Sequence, residues 1–215
     1  MGYEPENTLA SFRKAITLGV DMVELDVHVC KSGELVVVHD DKADRTTDGK
    51  GEIAKLSLVE LKKLNAGNSQ RIPELKEVLG LIKGKAGVNI ELKGKGTAIP
   101  VAQAIKTYNA QGWNQDKFIV SSFDMDELAR FRLSDKTTRV GILFEKKTEN
   151  PFYFAKKFAA YSVNPPLDLV TSQLVSKAHG RNLKVFVWTV DNPEDIQKVK
   201  NLGVDGIFSN YPDRL

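Results

Sequence analysis

VNIELKGKGTAIPVAQAIKTYNAQGWNQDKFIVSSFDMDELARFRLSDKTTRVGILF, residues 88–144, alternates two hydrophobic periods. Residues 88–92, 118–122 and 139–144 are short apolar runs of strand type. Between the first two, Ala98, Val101, Ala102, Ile105 and Tyr108 recur at the three-to-four spacing of one helix face. Asp124 followed by Glu127 fits a capping box and opens a helix to about Leu133. Strand, helix, strand, helix, strand predicts a parallel sheet with helices packed outside it.

The same rhythm extends in both directions. Toward the C-terminus, 152–160 reads as a helix, 160–163 as a strand and 169–178 as a helix closed by Gly180. Residues 184–190 and 205–209 read as the last strands. Between those two strands, Asn192-Pro193 is an N-cap with proline at the first helical position. Toward the N-terminus, Leu9, Phe12 and Ile16 mark a helix, followed by a strand over 20–28, a turn at 31–33 and a short strand over 35–39. Ser57 and Glu60 form a second capping-box spacing, and Pro73 opens a helix with Leu75, Val78, Leu79 and Ile82 inward.

An open doubly wound sheet and a (β/α)8 barrel both satisfy this alternation. Neither a GxGxxG nor a GxxxxGK[ST] run follows the first strand, and Gly94-Lys-Gly96 lacks phosphate-loop spacing, so it reads as a mobile loop. The polar residues Glu24, Asp26, Glu91, Lys93, Ser121 and Trp188 fall near the C-terminal ends of strands, where barrels carry function. The expectation is one α/β domain over 1–215: a TIM-type barrel with a small hairpin and loop insertion above it, beginning at the 35–39 strand. About seven barrel strands are found where a closed barrel has eight. The missing one is expected ahead of Met1, leaving two sheet edges that a second copy or a swapped segment can fill.

Composition sets outer bounds. With 215 residues, 41% hydrophobic and 27% charged, the chain can bury a large core without disulfides, and its one cysteine, Cys30, permits none internally. A net charge of +3 is too weak to argue for nucleic acid. No apolar run approaches membrane-spanning length. MGYEPENT has no signal-peptide pattern, so a cytoplasmic location is expected.

Glu24 and Asp26 lie two apart on a strand and share a face, and Glu91 repeats the situation on the next barrel strand. Three converging carboxylates suit a hard divalent cation, Mg2+ or Ca2+; the alternative is an ionic network with Lys93 and other bases. His39, followed by Asp40-Asp41, reads either as a general acid or base or as a surface histidine beside two acids. His28 shares the parity of Glu24 and Asp26 but lies further along, and reads as structural. His179 ends an outer helix, where a cation complements the dipole. Trp188 and Phe123 read as apolar walls of a substrate pocket or as packed core rings.

Taken together, Pro5-Glu-Asn-Thr8, Glu24-Leu-Asp-Val27, Gly33-Glu-Leu-Val-Val-Val-His-Asp40, Arg45-Thr-Thr47, Arg71-Ile-Pro73, Ile90-Glu-Leu-Lys93, Ser122-Phe123, Trp188-Thr-Val190, Gly203-Val-Asp-Gly206 and Pro212-Asp213 resemble the glycerophosphodiester phosphodiesterase family, in family order along the chain. The resemblance implies a TIM-barrel enzyme that cuts small-molecule glycerophosphodiesters to glycerol 3-phosphate and an alcohol. It implies a divalent cation on Glu24, Asp26 and Glu91, a catalytic role for His39 as one of two histidines, and Lys93 near the phosphate. The family's other histidine lies in a His-Arg-Gly segment ahead of the Pro-Glu-Asn-Thr stretch, a position before Met1, so impaired activity is expected. Two competing expectations are a non-catalytic barrel that binds a phosphate ester or a partner, and a phospholipase D-like activity on lysophospholipids.

Overall fold

Outward-facing Val23, Leu25 and Val27 are buried in one hydrophobic cluster with Leu75, Val78, Leu79 and Ile82, so alternate residues of a strand meet the inner face of a helix. In the computed structural model, which describes residues 2–146 and 150–215, this arrangement repeats around the molecule. The strands are β1 (Met22–Val29), β2 (Leu35–Val37), β3 (Gly87–Leu92), β4 (Phe118–Ser122), β5 (Arg139–Leu143), β6 (Ser162–Asn164), β7 (Lys184–Val187) and β8 (Gly206–Ile207). The helices are α1 (Leu9–Thr17), α2 (Leu58–Leu61), α3 (Leu75–Ile82), α4 (Ala98–Ala110), α5 (Met125–Ser134), α6 (Pro151–Lys157), α7 (Ser172–His179) and α8 (Pro193–Asn201).

The sheet order is β2-β1-β3-β4-β5-β6-β7-β8. β1 and β3–β8 pair in parallel, each with the next, while β2 folds back antiparallel on the end of β1. This is the expected curled barrel sheet with a hairpin after its first strand. Among the described residues no ladder joins β1 to β8. Residues 2–8 cross between those two edges as a loop: the Gly2 amide donates to the Asn210 carbonyl at 3.3 Å, and the Asp26 amide donates to Asn7 Oδ1 at 3.4 Å.

The insertion beyond β1 has its own small core. Cys30, Val36, Val38, Ala43, Ile53, Leu61, Ala66 and Ile72 form a second buried cluster. It is sewn to the barrel where Val38 donates to the Asp26 carbonyl and Val37 to the Pro73 carbonyl. The Ser57–Glu60 capping box forms as expected on α2, and Asn192 caps α8 with Pro193 in its first turn.

Two local expectations change. β7 stops at Val187 and β8 spans two residues: the Trp188 carbonyl turns away to accept from Leu167, while Phe208 still meets the β7 segment by donating to Val187 and accepting from Val190. Asp124 does cap α5 through Asp126 and Glu127, but the Glu127 carboxylate does not turn back to close a box. It reaches α4 instead, where Thr97 provides no side-chain cap: Oε1 accepts from Gly96 and Oε2 from Ala98, each at 3.0 Å. A buried carboxylate thus satisfies amides at the start of a neighbouring helix, where the helix dipole also favours negative charge.

This contact pins the loop after β3. Glu127→Ala is expected to leave buried amides unpaired and to lower stability by about 1–3 kcal/mol, read as a shifted urea midpoint at unchanged slope. An unchanged midpoint would remove the contact from the account.

Candidate functional site

Opposite the apolar face of β1, Glu24, Asp26 and His28 point into the barrel. The β1–β3 register sets Asp26 beside Glu91, and Lys93 follows on the same face of the chain. Glu24, Asp26 and Glu91 each present an oxygen such that all three lie within 4.8 Å of one another. Lys93 Nζ stands 3.0 Å from Glu91 Oε1, 3.8 Å from Asp26 Oδ1 and 3.1 Å from His39 Nε2.

The electrostatics of this cluster are unbalanced. Lys93 supplies one positive charge against three carboxyl groups. Burial, then the charges of Asp26 and Glu91, push Glu24 well above the ordinary carboxylate range. Burial and the charge of Asp26 push Glu91 up to about 7, against the pull of Lys93. Burial works against the charged form of Lys93, but Glu91 and Asp26 outweigh it and raise its pKa. Glu91 Oε1 is buried and, although close to Lys93 Nζ, has no partner in hydrogen-bond geometry. An all-oxygen donor set in which one ammonium faces three carboxyl groups fits a hard divalent cation better than a neutral ion network.

Beside this cluster, which it touches at Glu91 and Lys93, lies a cavity of about 420 Å³, lined also by His39, Asp40, Ser122 and Phe123. His39 extends from the loop after β2, with Nδ1 2.7 Å from Asp40 Oδ1. His28, at 7% exposure, sits beneath it, its Nε2 3.2 Å from the His39 carbonyl. A side chain at Gly94 would meet the His28 ring at 2.8 Å, so glycine there lets the loop pass. Phe123 faces the cavity with its ring 5.6 Å from Lys93 Nζ. Trp188 stands edge-on to Phe123 at 5.6 Å, and its indole donates to the Asn164 carbonyl at 2.8 Å. His179 pairs with Asp205 at 2.8 Å, away from the other two histidines.

Two participants were not singled out from the residues alone. Asn7, with its backbone in the left-handed region, donates Nδ2 to Asp26 Oδ2 at 2.9 Å and steers that carboxylate. Arg45 bridges Glu6 and Asp40. Both lie inside motif stretches, but the pairings, between residues 5, 19 and 39 apart, follow no periodicity that would reveal them.

A sequence profile described as the glycerophosphoryl diester phosphodiesterase family matches residues 1–214. A glycerophosphodiester phosphodiesterase of Caldanaerobacter subterraneus subsp. tengcongensis is 38% identical over 224 residues, covering 98% of this chain and 90% of that protein. The solved structure of an Oleispira antarctica phosphodiesterase in complex with the product sn-glycerol-3-phosphate has a TM-score of 0.91 at 31% identity, covering 99% of this chain and 90% of that one. A lysophospholipase D of Rattus norvegicus is 26% identical over 262 residues, covering 100% of this chain and 82% of that protein. Among the described residues, no helix is long and apolar enough to cross a membrane.

The raised Glu91 pKa has a stability consequence. The folded chain holds this proton more tightly than the unfolded chain, so the contribution of Glu91 is most favourable when protonated and declines as pH rises from about 4.5 to about 7. In chelator, thermal melts of Glu91→Gln are expected to lack that part of the decline, and the variant should gain on the parent as pH passes through this window. Parallel curves for the two proteins would show that the carboxyl is not perturbed.

Proposed function

Because the chain belongs to the glycerophosphoryl diester phosphodiesterase family, we propose that it cleaves glycerophosphodiesters to glycerol 3-phosphate and an alcohol in the cavity beside β1 and β3, working as one domain over residues 1–215. The observation that carries this reading is the convergence of Glu24, Asp26 and Glu91 within 4.8 Å, next to Lys93 and His39.

The three carboxylates would hold a divalent cation, Mg2+ or Ca2+, which would supply charge neutralisation and orientation of the phosphate ester. Asn7 holds Asp26 in place for this role. Lys93 directs its ammonium at the phosphoryl oxygens and stabilises the charge that grows there. His39 moves the proton of the attacking or leaving hydroxyl through Nε2, the ring atom turned toward Lys93. Phe123 walls the substrate pocket, and Trp188 braces its ring. The second proton transfer of the family route belongs to a His-Arg-Gly segment, a triplet that does not occur among the 215 residues. The stretch of β1 ahead of its pairing with β2, together with β8, is where such a strand, a second copy or a swapped segment pairs.

The likeness to a lysophospholipase D over the whole chain favours a second reading, cleavage of lysophospholipids at the same type of phosphodiester. Release of glycerol 3-phosphate from glycerophosphocholine, run beside lysophosphatidylcholine with Mg2+ or Ca2+, separates the two. Glu91→Gln is expected to abolish cation-dependent turnover, and His39→Ala to reduce it by ~10²–10⁴-fold. Unchanged cation affinity and turnover in Glu91→Gln would refute the site assignment.

Supplying an N-terminal strand that bears His-Arg-Gly is expected to raise turnover by ~10²–10⁴-fold. Substrate binding without turnover even then would leave only a binding barrel. Light scattering checks the pairing of the open edges, and a strictly monomeric mass would remove the second copy and intermolecular swapping from this reading.

A further inference from the structure

Arg45 lies in the insertion, and its guanidinium joins two segments of chain that meet at the cavity. Nε and Nη2 bind the two oxygens of Asp40 at 2.7 and 2.8 Å. Nη2 and Nη1 bind the two oxygens of Glu6 at 2.7 and 3.1 Å. The planar fork of arginine suits such double bidentate contact, and lysine cannot reproduce it. Glu6 immediately precedes Asn7, which holds Asp26, while Asp40 immediately follows His39. One side chain therefore ties the loop that steers a carboxylate of the acidic cluster to the loop that carries the histidine.

The same contacts define the protons of the His39 ring. Hydrogen bonds from Arg45 hold the Asp40 carboxyl far below the usual carboxylate range, so Asp40 is ionised and can only accept. The 2.7 Å contact between Asp40 Oδ1 and His39 Nδ1 therefore requires the proton on Nδ1. On the other side, the Lys93 ammonium can only donate, so its 3.1 Å contact requires a bare Nε2. Two neighbours on opposite sides of the ring impose the same tautomer.

We propose that Arg45 and Glu6 are positioning residues for His39: through Asp40 they hold the neutral imidazole in its Nδ1–H form, leaving Nε2 as the atom that exchanges a proton with the substrate. This deepens the reading of His39 as an acid–base group and rests on it for its catalytic meaning, though the tautomer itself is a property of the folded chain. It also assigns work to Glu6 and Arg45, motif residues otherwise without a part in the reaction.

Nitrogen-15 spectra of histidine-labelled protein test this directly. Only His28, His39 and His179 contribute, and His179→Gln identifies one of them. Spectra are taken as a pH series and read on its alkaline plateau, where the ring no longer changes with pH. His39 is expected to show a protonated Nδ1 and a bare Nε2. Arg45→Met should weaken the preference for that tautomer, because Asp40 then loses the fork that aims it at Nδ1 while Lys93 still donates to Nε2, with Arg45→Lys intermediate, and circular dichroism checks that each variant is folded. Asp40→Asn, which can offer an N–H to Nδ1, provides the same weakening should Arg45→Met fail to fold.

A wild-type ring protonated on Nε2 overturns the proposal, as does an unchanged His39 spectrum in folded Arg45→Met. In turnover, Arg45→Met should lower kcat with little change in KM. If His39→Asn keeps full turnover while the tautomer pattern stands, the acid–base reading of His39 fails and the clamp survives as structure.

Discussion

Three carboxyl groups brought within 4.8 Å inside a folded chain repel one another and resist burial, and much of the molecule is organised around that placement. Burial and mutual repulsion hold Glu24 and Glu91 above the ordinary carboxylate range. What makes the arrangement tolerable is partly rigid apolar packing on the other side of the same strands. Val23, Leu25 and Val27 on β1, and Val88, Ile90 and Leu92 on β3, are buried against helices. Each strand thus has an apolar face that holds it in place and a polar face that carries the unfavourable charge. That crowding of carboxyl groups is the feature that suits the site to a divalent cation.

The parts that complete the site come from outside the barrel sheet. His39 belongs to an insertion with its own core, so its loop is carried on a packed base and not on a free hairpin. The loop bearing Lys93 is tethered at its far end by Glu127 from α5. The segment over 2–8 crosses between β8 and β1 and delivers Asn7 to Asp26. Arg45 then ties two of these pieces together. Loops supply the candidate groups His39 and Lys93 while neighbouring elements remove their freedom, the kind of preorganisation that limits later rearrangement.

Features set by neighbours in sequence were legible before any coordinates. Glu24 and Asp26 share a face because strand side chains alternate. Ser57 and Glu60 cap α2, and Asn192 caps α8, because those geometries depend on residues two or three apart. The strand and helix alternation required a parallel sheet, and the shortage of strands is matched by a sheet whose β1 and β8 do not pair among the described residues. Strand ends were less legible: β7 stops at Val187 because Trp188 turns its backbone to Pro165 and Leu167, a pairing no local pattern reveals.

Residue order and side-chain chemistry by themselves determined the barrel class, the parity of the acidic pair and the candidates Glu91, Lys93 and His39. Only the tertiary structure decided that Glu91 stands beside Asp26, that Glu127 leaves its own helix to cap α4, and that Arg45 grips Glu6 and Asp40 together. The reason is physical. Local periodicity governs which way a side chain points, whereas the partner it meets depends on strand register and loop closure, which bring together residues as far apart in sequence as 6 and 45.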